Sequence, residues 1–163
     1  MSDRDFSWYS STTGTPSMAA YPSAGGETFR VGEPTTIHNT SGQLVEAGTD
    51  PPDVAGIAAH RSTDRDGTSF GSGFLVTVYK GGPDQTFRTT KFATDGAGTA
   101  AVPVPANIGK IAGFIVVAGS WFLDLGAGNG ICEVTGILDS NGRNLSDPNL
   151  LSGTGSIVLF RFI

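Results

Sequence analysis

Residues 121–134 read WFLDLGAGNGICEV, and the fold class turns on them. A hydrophobic run, Trp121 to Leu125, holds one acidic residue, Asp124, and leads into Gly126, Gly128 and Gly130. In a doubly wound α/β domain such a strand and glycine-rich turn would cradle an adenosyl ligand such as S-adenosylmethionine, because glycine has no Cβ to hold the ligand off the backbone. That scaffold constrains the residues beyond the glycines. A helix must open at the glycines, and the acidic residue that binds the ribose belongs roughly 20 residues on, after a helix and a strand. Here the glycines lead into Ile131 to Leu138, a β-branched run broken by Gly136, which is a strand pattern. Asp139 comes nine residues after Gly130, and only 33 residues remain after Gly130 altogether. The stretch therefore predicts a wide connection between two strands, with Asp124 and Asn129 bonding local backbone.

Working outward, the neighbouring segments have the same character. Phe74, Val76 and Val78 alternate with Leu75, Thr77 and Tyr79, the period of a strand. Strands are expected at Thr86 to Ala93, Thr99 to Val104, Ile111 to Val117, Ile131 to Leu138 and Ile157 to Ile163. Asp95-Gly96 and Asn141-Gly142 are dipeptides that suit two-residue type I′ hairpin turns. Towards the N-terminus, Thr28 to Val31, Thr35 to His38, Gln43 to Glu46 and Val54 to His60 are short runs bounded by Gly, Pro, Asn or Asp. Asn144 to Leu151 has room for one short turn of helix. The expectation is an all-β fold, a compact barrel or sandwich of about ten short strands.

Composition agrees. Gly (24) and Pro (9) are abundant, while charged residues are only 15% of the 163; helices of soluble proteins lean on charged formers instead. Net charge is −5 and there is no run of Lys or Arg, which argues against nucleic acid as a direct partner. The longest apolar run, Ile111 to Ala118, is too short to span a bilayer, and the N-terminus lacks the basic and apolar regions of a signal peptide. The expectation is a protein made in a cytoplasm, with no membrane partner.

Residues 1–27 differ from the rest. They are rich in Ser, Thr, Gly and Pro and lack periodicity, which reads as an extended N-terminal arm preceding a β-domain over 28–163. Yet they carry Phe6, Trp8, Tyr9, Met18 and Tyr21. Exposed aromatics gain nothing in water, so the arm is expected to be pinned, either to its own body or to a partner chain. The first of these is the plainer reading and the second has the slight edge.

No catalytic constellation emerges, and the chain is expected not to be an enzyme and to need no cofactor. The two histidines, His38 and His60, read as polar surface or turn positions, and no G-x-S-x-G nucleophile elbow occurs. Cys132, the only cysteine, reads as a small buried hydrophobe. Asp64-Arg65-Asp66-Gly67-Thr68-Ser69 holds part of a calcium-loop pattern, but its Gly comes too early and no closing Glu is present. A solvated turn is the better reading there, with no metal expected.

One stretch resembles a known family. Phe29 to His60, FRVGEPTTIHNTSGQLVEAGTDPPDVAGIAAH, is similar to the small decoration, or cement, proteins of tailed-bacteriophage capsids. The likeness lies in the Val-Gly-Glu-Pro bend, the polar hairpin, and Gly48-Thr49-Asp50-Pro51 followed by Gly56-Ile57-Ala58 and His60. It covers about 30 residues, so 28–66 would be a β-tulip-like part and 67–163 an elaborating β-region. The resemblance implies a homotrimeric structural protein on the capsid exterior of a virion. It would bind junctions between major capsid protein subunits and hold the shell against internal DNA pressure. Partner contacts would then run through Phe6, Trp8, Tyr9, Met18 and Tyr21 of the arm and through Phe29 just beyond it. A rival expectation is a head-fibre or tail module that binds a receptor or carbohydrate, with Trp8 and Trp121 as stacking platforms.

Overall fold

The computed structural model describes residues 5–63, 66–145 and 156–163. It is all-β, with two sheets and no closed barrel. The strands are β1 (Ser7–Ser11), β2 (Met18–Pro22), β3 (Pro34–Ile37), β4 (Leu44–Glu46), β5 (Gly56–Ala58), β6 (Leu75–Lys80), β7 (Gln85–Thr89), β8 (Phe92–Ala93), β9 (Ile111–Val117), β10 (Ser120–Asp124), β11 (Cys132–Leu138) and β12 (Ile157–Phe162). One short 3-10 turn, Pro105–Asn107, interrupts them. A seven-stranded sheet runs β1-β7-β12-β11-β9-β10-β8, and a five-stranded sheet runs β2-β6-β5-β3-β4. All pairs are antiparallel except β10 with β8.

The core arises from the alternation in these strands. Phe87 of β7, Phe114 of β9, Phe160 and Phe162 of β12 all face inward from the larger sheet, and Phe6 joins them. Ring centroids lie 4.9 Å apart for Phe6–Phe114 and 5.5 Å for Phe6–Phe160, both at tilted or edge angles. Such aromatic pairs contribute about 0.5–1.5 kcal/mol each beyond the area they bury. Ile57 and Ala47 of the smaller sheet's side bury in this same cluster, so the two sheets share it. The opposite face of the smaller sheet encloses a second cluster of Phe29, Leu44, Ala58, Val76 and Val78. Strand β5 thus has both faces covered: Ile57 looks into one core and Ala58 into the other. Gly56 is required there, since any Cβ would overlap the Tyr79 carbonyl of β6.

Residues 5–27 are built into the sheets and do not form an arm. Strand β1 pairs with β7, and β2 pairs with β6. Two anchors explain why this Ser/Thr-rich sequence is held. The buried Asp5 carboxylate accepts the Trp121 backbone N–H at 3.2 Å and pairs with Lys91 and Arg30. The buried Gln85 side chain accepts from the Trp8 indole N–H at 2.9 Å and from the Ser17 N–H at 3.1 Å, tying β1 and β2 to β7 together. Neither anchor leaves a periodic trace in the sequence. The strand pairing also crosses the boundary expected at 66/67, since β6 sits between β2 and β5 in the smaller sheet.

Other differences are local. Thr28 to Val31 and Thr99 to Val104 are not strands; only an isolated bridge, Ala93 to Ala100, remains of the latter. Neither Asp95 nor Asn141 has positive φ, so neither turn is type I′. At 139–143 the Gly142 N–H bonds the Asp139 carbonyl and the Asp139 N–H bonds the Arg143 carbonyl, and Gly142 alone takes the left-handed position. The turn with both central residues at positive φ is Ala118-Gly119 (φ 50° and 76°), between β9 and β10. Apart from Asn144 and Leu145, the helical turn expected at 144–151 lies outside the described residues.

Candidate functional site

Two carboxylates close the glycine loop of residues 124–130. Asp124, fully buried at the end of β10, accepts backbone N–H groups from Gly126 (2.8 Å), Gly96 (3.0 Å) and Gly98 (3.0 Å). Asp50 accepts the Gly128 N–H at 3.0 Å and the Asn129 N–H at 2.9 Å, and the Asn129 side-chain amide returns a bond to the Asp50 carbonyl at 2.7 Å. Consecutive backbone N–H groups of this kind form a nest for an anion. Here the anion is the chain's own Asp50, 78 residues away in sequence. None of Gly126, Gly128 and Gly130 has positive φ. Two of them are needed because the loop is packed: a Cβ at Gly126 would overlap the 95–96 backbone, and one at Gly130 would overlap the Ile111 side chain. Asp124 takes the local role expected of it at the Gly126 N–H and also reaches Gly96 and Gly98, whereas the Asn129 side chain, expected to bond local backbone, instead reaches the Asp50 carbonyl 79 residues away.

The remaining chemistry is sparse. His38 and His60 are both exposed, and the His38 Nδ1 accepts the Ser41 N–H at 3.4 Å. Cys132 is buried, and burial pushes its thiol well above the usual range. Among the described residues no group of three His, Cys, Asp or Glu side chains is placed to hold a metal. Asp64 and Arg65, which begin the calcium-like turn, lie outside the described residues.

The six residues expected to meet a partner divide by burial. Phe6 and Phe29 are fully buried, one in each core; they stabilise the fold and present no surface to a partner. Trp8 packs against the larger core and Tyr21 against the smaller one, each partly exposed. Tyr9 (42% exposed) and Met18 (43%) remain on the surface, on β1 and β2. Trp121, the other candidate sugar platform, is fully buried, so it has no face to offer. The sequence reading missed one surface feature. Phe70 and Phe74, both exposed, stack at 4.3 Å across Gly71-Ser72-Gly73, with both glycines at positive φ. Two Phe residues flanking Gly-Ser-Gly are the signal that would have found it.

The edges of the two sheets are unequally protected. Beyond β8, the Ala101 N–H bonds the Phe92 carbonyl. Beyond β4, the Ala24 N–H bonds the Leu44 carbonyl, and the Glu27 carboxylate takes the Glu46 N–H. Along β1 a bulge falls between Trp8 and Ser10, the Phe6 N–H bonds the Gly32 carbonyl, and the Ser11 carbonyl accepts from Gly14. Strand β2 meets Leu44 of β4 just past Pro22, but along Met18 and Ala20 it has no such cover among the described residues. From Phe6 to Gly26 no residue is charged, so this edge has no Lys of the kind that guards exposed edges elsewhere.

Comparison with family models, with curated proteins and with solved structures returns no match.

Proposed function

We propose that this chain is a virion structural protein that binds the outside of a tailed-phage capsid, at junctions between major capsid protein subunits. The observation that carries the reading is the uncharged N-terminal segment, folded as edge strands that present Tyr9 and Met18 half-exposed. Aromatic and Met side chains are enriched at protein interfaces, and charge is depleted at interface centres. The resemblance of Phe29 to His60 to decoration proteins supplies the identity of the partner. That stretch contributes β3, β4 and β5 to the smaller sheet, with Phe29, Leu44 and Ala58 in one core and Ala47 and Ile57 in the other.

A protein of this kind acts by mass action. Binding only the assembled shell adds its binding free energy to the assembled state, and copies over many junctions repeat the effect. The test is co-sedimentation with expanded, empty shells assembled from the capsid protein of the phage that encodes the chain. The protein should pellet saturably and raise the temperature at which shells break. Tyr9→Asp with Met18→Asp should weaken binding at least tenfold without changing the fold, since both positions are exposed. Wild-type protein that stays in the supernatant at every concentration sinks the capsid reading.

A further inference from the structure

The chain has two Asn-Gly dipeptides, Asn129-Gly130 and Asn141-Gly142, and the fold treats them differently. In such a pair the glycine nitrogen can attack the asparagine side-chain amide, because no Cβ shields it. Around Asn141 little opposes this. Residues 140–144 are exposed, and open space surrounds Gly142 where a Cβ would stand. The Asn141 side chain makes no bond among the described residues; only its backbone N–H does, to the Asp139 carboxylate. One bond restrains the attacking group, since the Gly142 N–H donates to the Asp139 carbonyl at 2.9 Å. That bond closes an exposed turn just past β11, so breaking it moves neither core.

Asn129 is clamped. Its side-chain amide donates to the Asp50 carbonyl at 2.7 Å, and its N–H donates to the Asp50 carboxylate at 2.9 Å. Its carbonyl lies against Gly113, where a Cβ would overlap it, and Gly130 lies against the Ile111 side chain. Turning the Asn129 amide onto the Gly130 nitrogen means breaking the bonds to Asp50 and shifting a loop packed on β9.

We infer that Asn141 is a self-modification site, at which the Gly142 nitrogen displaces ammonia from the side-chain amide, while the fold holds Asn129 unreactive. The Gly142 nitrogen forms a bond to Asn141 Cγ and gives up its proton. The Cγ–Nδ2 bond breaks, and ammonia leaves with that proton, closing a cyclic imide. Water, the only co-reactant, then opens the ring at either carbonyl. One product is aspartate; the other is isoaspartate, whose backbone runs through the former side chain. This inference does not depend on the proposed capsid role. Either product sets a new carboxylate beside Asp139, which already binds the Asn141 and Arg143 N–H groups and the Arg143 side chain. Isoaspartate also lengthens the turn by one backbone carbon, so Asp139 cannot hold both N–H groups in their present geometry. The return of the chain to β11, through the Leu138–Asn144 bridge and the Leu145 N–H on the Ile137 carbonyl, then loosens.

The test is a time course on the full-length protein in mildly alkaline buffer, which helps remove the glycine N–H proton. Peptide mapping by mass spectrometry locates the products, and released ammonia is measured alongside. Asn141 should convert first, to a mixture of aspartate and isoaspartate with one ammonia per modified chain. It should react at least about tenfold faster than Asn129, whose two bonds to Asp50 must break beforehand. In urea the fold no longer separates the two dipeptides, and their rates should agree within about threefold. Asp50→Ala should speed the reaction at Asn129 and leave Asn141 unchanged. Wild type that reacts at Asn129 as fast as at Asn141, or at neither, overturns the inference. A difference that persists undiminished in urea overturns it too, because local sequence and not the fold would then set the rates. If Asp50→Ala does not fold, the comparison of folded with urea-unfolded wild type still decides.

Discussion

Replacing Phe6 by Ala tests whether the N-terminal segment belongs to the fold. In the structure Phe6 is fully buried, its ring against Phe114 and Phe160, and its backbone N–H bonded to the Gly32 carbonyl. Truncating a buried Phe costs about 3–5 kcal/mol, as lost transfer energy plus the cavity left behind. Phe114 and Phe160 are anchored on β9 and β12, so the site cannot easily collapse, which favours the upper part of that range. Typical domain stability is about 5–15 kcal/mol. For a chain of this size each kcal/mol lowers Tm by about 2–4 °C, so the expected drop is roughly 6–20 °C. Urea unfolding followed by near-ultraviolet circular dichroism, which reports aromatic packing, gives the free energy directly. The midpoint should fall while the slope stays constant. A loss below about 1 kcal/mol would refute the placement, because a residue on a free arm can be truncated at almost no cost.

Two further substitutions probe the turns. Ala118 holds φ at 50° in an exposed hairpin turn, where an L-residue other than Asn or Asp is disfavoured by about 1–2 kcal/mol. Ala118→Asn should therefore raise stability by roughly 0.5–1 kcal/mol in a urea melt, and a decrease would contradict the type I′ assignment. Asp50→Ala removes the carboxylate that holds the Gly128 and Asn129 N–H groups. The global cost should be about 1–3 kcal/mol, with amide exchange at 128–129 accelerated far more than in β9 or β11; unchanged exchange there would show that Asp50 does not close the loop.

The fold class was legible because the evidence for it was local. The β-branched run after Gly130 excluded a helix, and the alternation around Val76 and Val78 placed a strand whose inward residues are the buried ones. What the sequence hid was held by side chains reaching far along the chain. Gln85 reaches Trp8 across 77 positions and Asp124 reaches Gly96 across 28, and no window of neighbouring residues reveals such a bond. The strands of residues 7–22 were missed for that reason: Ser-Trp-Tyr-Ser-Ser and Met-Ala-Ala-Tyr-Pro have weak patterning, and pairing with β7 and β6 overrides it. The aromatics did mark the segment as pinned. Burial then separated structural residues (Phe6 and Phe29) from surface ones (Tyr9 and Met18), a distinction that residue type alone does not carry.

The order of strands in the larger sheet has a kinetic consequence. Strand β12 lies between β7 and β11, yet it comes after every other strand in the chain. As synthesis proceeds at about 5–20 residues per second, β1 and β7 are complete long before β12 can join them to β11. Until then each half of the sheet shows the other an unpaired apolar border, and Phe87 and Phe114 lack the ring of Phe160 between them. Closure is thus a late, long-range event, the kind of step that makes folding slow and leaves nascent chains open to association.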